Sequence, residues 1–427
     1  MNKRLIAVLV IVLLLPVIAS IQMAQPAAGE VLKSDKERIT SPDVSMSEQS
    51  SLVEGNSAFA FELYQALKGE EGNLFYSPYS ISLALAMTYA GARGETALQM
   101  ADTLHFLLEQ DRLHPAFNWL DTQLASRGEG AEGKDGEGFR LNIVNAIWGQ
   151  KDYEFLSDFI DVLAENYGAG LRILDFITET EKSRLTINDW VSDQTEERIE
   201  DLIPQGAIDA LTRLVLTNAI YFNAAWAYPF GEDMTANGSF YLLDGGQITV
   251  PMMKQTESFS YAEGEGYQAV ELLYDGGELS MVILLPEAGK LEAFEEGLQA
   301  QYVCDIISGL QPTEVALTMP RFEFESEFSL KDTLAGMGMP IAFSSIADFS
   351  GMTGNRELSI SDVVHKAFVA VDEAGTEAAA ATAVIMKYTA VPEPPVEVTL
   401  DRPFIFLIRD IETGAILFVG RVVNPAA

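Results

Sequence analysis

One cysteine, Cys304, is all that 427 residues contain, so no disulfide can close within the chain and stability has to come from packing. A lone cysteine is expected to sit as a small buried hydrophobe, and with none near the start a lipoprotein anchor at the amino terminus is excluded. Histidine is almost as scarce, with only His105, His114 and His365. No serine stands in a G-x-S-x-G setting, and neither H-E-x-x-H nor S-x-x-K occurs, so the common hydrolase signatures are missing. The chain reads as a non-enzyme with no cofactor and no metal. Basic residues are few as well: 27 against 63 acidic ones, a net charge of −36. Nucleic acid and heparin-like polyanions need clustered Lys and Arg, so both are excluded as partners, and the acid reads as solvated surface.

Long apolar runs are missing except at the start. Lys3 and Arg4 precede the run Leu5 to Ala19, which ends in Val17-Ile18-Ala19 and is short for a spanning helix. Residues 1–19 therefore read as a secretory signal cleaved near Ala19, which predicts an extracellular protein without stable membrane insertion. An uncleaved membrane tether is the alternative. Residues 20–51 are polar, hold Pro26 and Pro42, and predict a flexible tether. From about Leu52 no linker divides the chain, so residues 52–427 are expected to form one large domain, although length alone suggests two or three. A hydrophobic content of 48% with 21% charged residues is that of a globular body.

What is present begins with helical spacing of Phe59, Leu63, Tyr64 and Leu67. Next comes a stretch in which Ser77 can cap a helix and Pro78 suits its first turn. Ile81, Leu83, Leu85 and Met87 make that helix apolar on most sides, which places it under a sheet. Gly128 to Lys134 has the spacing of a phosphate-binding loop, but Asp135 follows where Ser or Thr is needed, and Glu129 and Glu132 repel phosphate. It reads as an acidic surface loop. Leu141 to Tyr167 predicts a strand and then a helix, Ile187 to Ile203 an amphipathic helix, and Leu214 to Phe230 a buried strand holding Asn218 and Trp226. Tyr241 to Pro286 predicts hairpins around Gly245-Gly246 and Gly276-Gly277. Asn237-Gly238-Ser239 is a glycosylation pattern.

The most unusual stretch runs from Val371 to Pro403. Its first half holds only small residues after an acidic start, and its second ends in Pro392, Pro394 and Pro395. On local signal the small half can be a helix, since alanine is the best helix former. It can equally be a strand in waiting, with Thr376, Ala378, Ala380 and Thr382 on one face and nothing bulky or charged there. The proline half cannot enter a sheet, because proline gives no amide to a ladder.

The run Glu373-Ala374-Gly375-Thr376-Glu377-Ala378-Ala379-Ala380-Ala381-Thr382 resembles the hinge of the reactive-centre loop of the serpins, and Asp401 to Pro425 resembles their C-terminal strands. The similarity covers nearly everything after about Leu52. It implies an α+β serpin fold of three β-sheets surrounded by eight or nine helices, with an exposed reactive-centre loop at about 373–400. In the family, residues matching Ser77, Pro78 and Ser80 lie at the shutter beneath the main sheet, and the residue matching Asn218 bonds to a histidine, here His365. Trp226 matches the tryptophan of the breach, where insertion begins, and reads equally as plain core. Arg321 falls where a basic residue pairs with the acid at the loop base, here Glu373. Ser77, Ser80 and His365 could mimic a catalytic set, but a hydrogen-bonded shutter is the simpler account.

The resemblance further implies a monomeric inhibitor that works by suicide. A target serine protease cleaves the loop, forms a covalent acyl-enzyme and is carried off as the hinge inserts. Thirteen positions after Thr376 stands Thr389, which makes Thr389–Ala390 the expected bond and suits an elastase-like enzyme. Tyr388–Thr389 is the alternative and suits a chymotrypsin- or subtilisin-like one, and Lys387 suits a trypsin-like one. Counting back from Pro403 lands on Pro392, a poor cleavage site, so the loop carries about three extra residues beyond the bond. The rival reading is a non-inhibitory member: carrier, chaperone or storage protein.

Overall fold

The computed structural model describes residues 29–128, 140–376 and 394–427. The first elements are β1 (Glu30–Leu32) and α1 (Met46–Leu67), the latter opened by a capping box between Ser45 and Glu48. β2 (Leu74–Tyr76) leads into α2 (Pro78–Tyr89), capped by Ser77 with Pro78 in the first turn. Every residue of α2 is buried, as a helix apolar all round must be.

There follow α3 (Gly94–Thr103), α4 (Gln110–Ala125), β3 (Arg140–Gln150), α5 (Ser157–Tyr167), β4 (Leu171–Leu174), α6 (Thr180–Gln194) and the long buried β5 (Leu214–Ala225). The hairpin-rich middle comprises β6 (Ala236–Tyr241), β7 (Gln247–Gly264), β8 (Tyr267–Leu273) and β9 (Leu279–Pro286). Its turns use Gly245, Gly276 and Gly277 at positive φ, where a side chain would be strained. The remainder is α7 (Leu291–Glu296), α8 (Ala300–Ser308), β10 (Gln311–Pro320), β11 (Phe322–Ser329), α9 (Lys331–Met337), α10 (Ser350–Thr353), β12 (Asp362–Val371), β13 (Gly375–Thr376), β14 (Val396–Thr399), β15 (Phe404–Asp410) and β16 (Ile416–Val422).

Two hydrogen-bonded sheets result. The first has the order β1-β4-β3-β5-β13-β12-β11, and below β13 its neighbours β5 and β12 pair directly with each other. The second runs β14-β10-β7-β8-β9-β15-β16-β2, with β6 on β7. It contains both smaller sheets expected from the sequence, because the 18-residue β7 serves one with its first half and the other with its second. The main core lies between the sheets and around α1 and α2, with Phe75 stacked on Phe418 at 5.0 Å and on Phe406 at 5.8 Å. Among the described residues ten stretches are α-helical.

Three expectations need correction. From residue 29 on, the supposed tether is docked: β1 pairs with β4 and covers that sheet edge. Arg38 donates to Asn118 Oδ1 (2.8 Å) and Asp121 (2.5 Å), Asn118 Nδ2 donates to the Ile39 carbonyl (2.7 Å), and Lys36 pairs with Asp161 and Glu165. The charges that made the segment look solvated are its ties to α4 and α5, and the ordered body starts well before Leu52.

The helix expected to reach Ile203 ends at Gln194. Beyond it Glu196, Glu197 and Asp201 take positive φ, and Ile199, Leu202 and Ile203 lie flat on Val144, Trp148, Val215, Ala219 and Val364 across β3, β5 and β12. Covering a sheet that way decides the path against helical propensity. Finally, Cys304 is exposed on α8 rather than buried.

Candidate functional site

The seam between β5 and β12 is the feature on which the expected site residues converge. Val215–Tyr221 pair in parallel with Asp362–Phe368, an unusual junction because the ladders on the outer side of each strand, β3–β5 and β11–β12, are antiparallel. At the upper end the strands part, and Gly375–Thr376 lies between them, antiparallel to both: Thr376 opposite Ala224 and Val371, Gly375 opposite Ala225. The chain reverses from β12 into β13 through Asp372, whose Oδ1 accepts from the amides of Ala374 (2.8 Å) and Gly375 (3.2 Å). Gly375 is demanded by close approach, since a Cβ there would lie 2.2 Å from the Ala224 carbonyl oxygen.

Trp226, Arg321 and Glu373 are brought together at this fork. The Trp226 indole donates to the Asp372 carbonyl (3.0 Å) and its amide to the Ala374 carbonyl (2.7 Å), while the Phe230 amide donates to the Glu373 carbonyl (2.7 Å). Arg321 Nε donates to the Glu373 carboxylate at 2.8 Å, and the Thr235 hydroxyl donates to the same oxygen. Burial works against the Glu373 charge, but the Arg321 and Thr235 hydrogen bonds outweigh it and hold the carboxyl below its ordinary pKa. Arg321 is 44% exposed while the Glu373 carboxylate is buried, so solvent screens the pair from one side only, and it is suited to holding a position more than to stabilising a fold.

Lower in the seam, Ser77, Ser80, Asn218 and His365 meet, beside Pro78 at the start of α2. His365 and Asn218 face each other across β12 and β5, and Asn145 faces Asn218 across β3. The His365 Nδ1–H donates to Asn218 Oδ1, which also accepts from Ser80 Oγ (2.9 Å); Asn218 Nδ2 donates to Asn145 Oδ1, and Asn145 Nδ2 to the Ser80 carbonyl (3.1 Å). His365 Nε2 then accepts from the Ser77 amide (3.3 Å). This uses both ring nitrogens of one neutral tautomer, and no serine hydroxyl bonds to the imidazole, so the group is not a nucleophile with its base. Phe328 stacks on the ring at 6.3 Å from the next strand.

A sequence model of the Serpin (serine protease inhibitor) family matches residues 54–425. The chain belongs to the serpin family. The uncharacterised serpin-like protein TK1782 of Thermococcus kodakarensis is 41% identical over 376 residues, 88% of this chain and 86% of that protein. The leukocyte elastase inhibitor of Homo sapiens is 40% identical, over 88% of this chain and 99% of its own length. Among solved structures the thermophilic serpin tengpin in its native state superposes with a TM-score of 0.81 at 28% identity, over 92% of this chain and 97% of that one.

Of the expected hinge, the part from Glu377 to Thr382 lies outside the described residues, as do both candidate bonds, Thr389–Ala390 and Tyr388–Thr389, residues 1–28 and most of the acidic loop after Gly128. Among the described residues no helix is long and apolar enough to cross a membrane, and no His, Cys, Asp and Glu group could hold a metal ion. Asn237 is exposed on β6. Residues that sequence reasoning passed over are Asn145, Thr235, Tyr274, Phe328 and Asp372. Asn145 had a signal, being a polar residue flanked by Ile143-Val144 and Ala146-Ile147, and so had Asp372, three residues before a glycine. Nothing local marks Tyr274.

Burial holds the His365 pKa down at about 3, against 6.5 for a free imidazole, and that of His114 at about 4. Because the folded values lie below the unfolded one, this stability is complete above pH 6.5 and drains away as pH falls towards 4 and then 3. Each group removes about 1.4 kcal/mol per pH unit within its window. Urea midpoints measured from pH 7 to pH 4 are expected to fall steadily, and less steeply in His365→Gln. Equal slopes for the two proteins would show that the imidazole is not held neutral.

Proposed function

We propose that this serpin inhibits a serine protease by suicide cleavage, acyl-enzyme trapping and insertion of the hinge between β5 and β12. The observation that carries the reading is the register of Gly375–Thr376. Continued down the seam, it pairs residue 377 with Asn223 and Ala370, residue 382 with Asn218 and His365, and residue 385 with Val215 and Asp362. The pairings of β13 with β5 and with β12 lead to the same assignment, because those two strands are themselves aligned at these positions.

Continuation also keeps Ala378, Ala380 and Thr382 on the inward face that the buried Thr376 already uses. None of them is bulky or charged, which supports inhibition over the carrier, chaperone or storage reading. Thr382 would arrive between Asn218 and His365, where one hydroxyl can accept from the imidazole N–H and donate to the amide oxygen, replacing the bond that insertion breaks. Loop insertion by serpins is a known case of strand addition and of stored strain released by cleavage.

We also assign residues 1–19 as a secretory leader and the body from residue 29 to 427 as one serpin domain, acting as a secreted monomer. β1 starts beside Ile173, at the end of the sheet away from the hinge. The described chain therefore begins at the pole opposite the fork.

The test is incubation with elastase-, subtilisin- and trypsin-like proteases, a search for detergent-resistant complexes, and sequencing of the released C-terminal peptide. A complex with a peptide beginning at Ala390 supports an elastase-like target, and one beginning at Thr389 a chymotrypsin- or subtilisin-like target. Cleavage in the loop by all three without any complex would reject the inhibitory reading.

A further inference from the structure

Trp226, Arg321 and Glu373 are the breach residues that the serpin resemblance points to, but the hinge side chain that enters the sheet makes its hydrogen bond to a residue outside that trio. Thr376 is wholly buried, and its hydroxyl meets the hydroxyl of Tyr274 at 2.9 Å. Tyr274 is wholly buried too, and burial raises its pKa, so the phenol stays protonated at any working pH. The contact satisfies two buried hydroxyls at once, either of which would be costly to leave alone.

Tyr274 cannot follow the hinge if the hinge moves. It sits where β8 turns towards β9, with its amide donating to the Leu279 carbonyl (3.0 Å) and its carbonyl accepting from Gly277 (2.9 Å). That turn is bonded to the end of β5: the Asp275 amide donates to the Ala225 carbonyl (2.8 Å) and the Ala227 amide to the Leu273 carbonyl (2.9 Å). The ring is clamped between Trp226, stacked at 4.7 Å, and the edge of Phe222 at 5.1 Å. Tyr274 is therefore a rigid fixture of the β5 wall. Arg321 grips Glu373 from the other side, at the entrance to β11. The hinge is held from both banks of the seam, by its acid on one and by its threonine on the other.

The geometry points to Tyr274 as the positioning residue that keeps the hinge threaded at the head of the seam before cleavage, and so sets how often an attacking protease is trapped rather than released. This rests on the inhibitory reading above. After acylation, insertion competes with hydrolysis of the acyl bond. A strand whose first two residues are already paired has only to lengthen, whereas an expelled hinge must first re-enter, which gives hydrolysis time to win.

The experiment compares Tyr274→Phe, which keeps the ring stack and removes one oxygen, with Thr376→Val, Thr376→Ser and the double variant Tyr274→Phe/Thr376→Val. Two readouts are taken: the number of inhibitor molecules consumed per protease trapped, and hydrogen-exchange protection of the Gly375 and Thr376 amides in the uncleaved protein. Tyr274→Phe is expected to raise the first and lower the second by about two- to tenfold, the factor that one buried hydrogen bond supplies. The double variant should be no worse than either single one, and Thr376→Ser should behave as the parent.

Unchanged protection in Tyr274→Phe, or losses that simply add in the double variant, would overturn the assignment even if the parent traps protease normally. If the parent traps nothing while Tyr274→Phe still loses protection, the positioning role stands and the inhibitory reading is what fails.

Discussion

Thr376→Arg is expected to turn the protein from a trap into an ordinary substrate: the loop is still cut at the same bond, but no detergent-resistant complex accumulates. Thr376 has no exposed surface, and its side chain faces Tyr274 in the core beneath the fork. A guanidinium there would be buried against the Tyr274 phenol, at a cost of several kcal/mol. The hinge can escape that cost only by leaving the sheet, which undoes the pairing with Ala224 and Val371 from which the inserted strand would grow. Gel electrophoresis of the protease mixture reads the outcome directly. A covalent complex formed by Thr376→Arg with parental efficiency would mean that insertion does not start at this residue.

The second large effect is on the cleaved protein. The proposed insertion would exchange the seven parallel pairs between β5 and β12 for two antiparallel ladders, one on each side of the new strand, and parallel pairing is slightly the weaker per residue. A dozen or so additional backbone hydrogen bonds, at about 0.5–1.5 kcal/mol each, contribute on the order of 10 kcal/mol, comparable to the whole stability of a typical domain. With an unfolding entropy of about 2.1 cal/mol/K per residue, a body of about 400 residues shifts by only ~1.2 °C per kcal/mol, so the thermal midpoint should rise by roughly 10–15 °C once the loop is cut. Calorimetry of intact and cleaved protein measures it. Identical midpoints would leave no stored free energy with which to distort a protease.

How much could be read beforehand differs element by element. Ser77 and Pro78 announced α2 because a cap and a first-turn proline act on their own backbone, and Gly276-Gly277 announced a turn for the same local reason. Cys304 and the 29–45 segment were misread because composition reports average solubility and not partners. Arg38 looks solvated until Asn118 and Asp121, some eighty residues away, are brought beside it. The path after Gln194 failed in the opposite direction: its helical periodicity was real, but Ile199, Leu202 and Ile203 have more to gain from lying on the sheet than from finishing a helix.

At the site, the breach trio and the shutter set were nameable from the serpin resemblance, and the Arg321–Glu373 and Asn218–His365 contacts are present. Asn145 and Tyr274, which complete those two groups, were not named. Both belong through pairing across strands and sheets that no local spacing encodes.

By itself the amino-acid sequence determined which residues could enter a sheet, since smallness and absence of charge at Thr376, Ala378, Ala380 and Thr382, with no proline from 376 to 382, are properties of the side chains alone. Only the tertiary structure decided that there is a place for them to go. A parallel seam opened by two hinge residues, with Asn218 facing His365 lower down, arises when distant strands are laid side by side, and hydrogen-bond register between strands is fixed by the packing of the whole body.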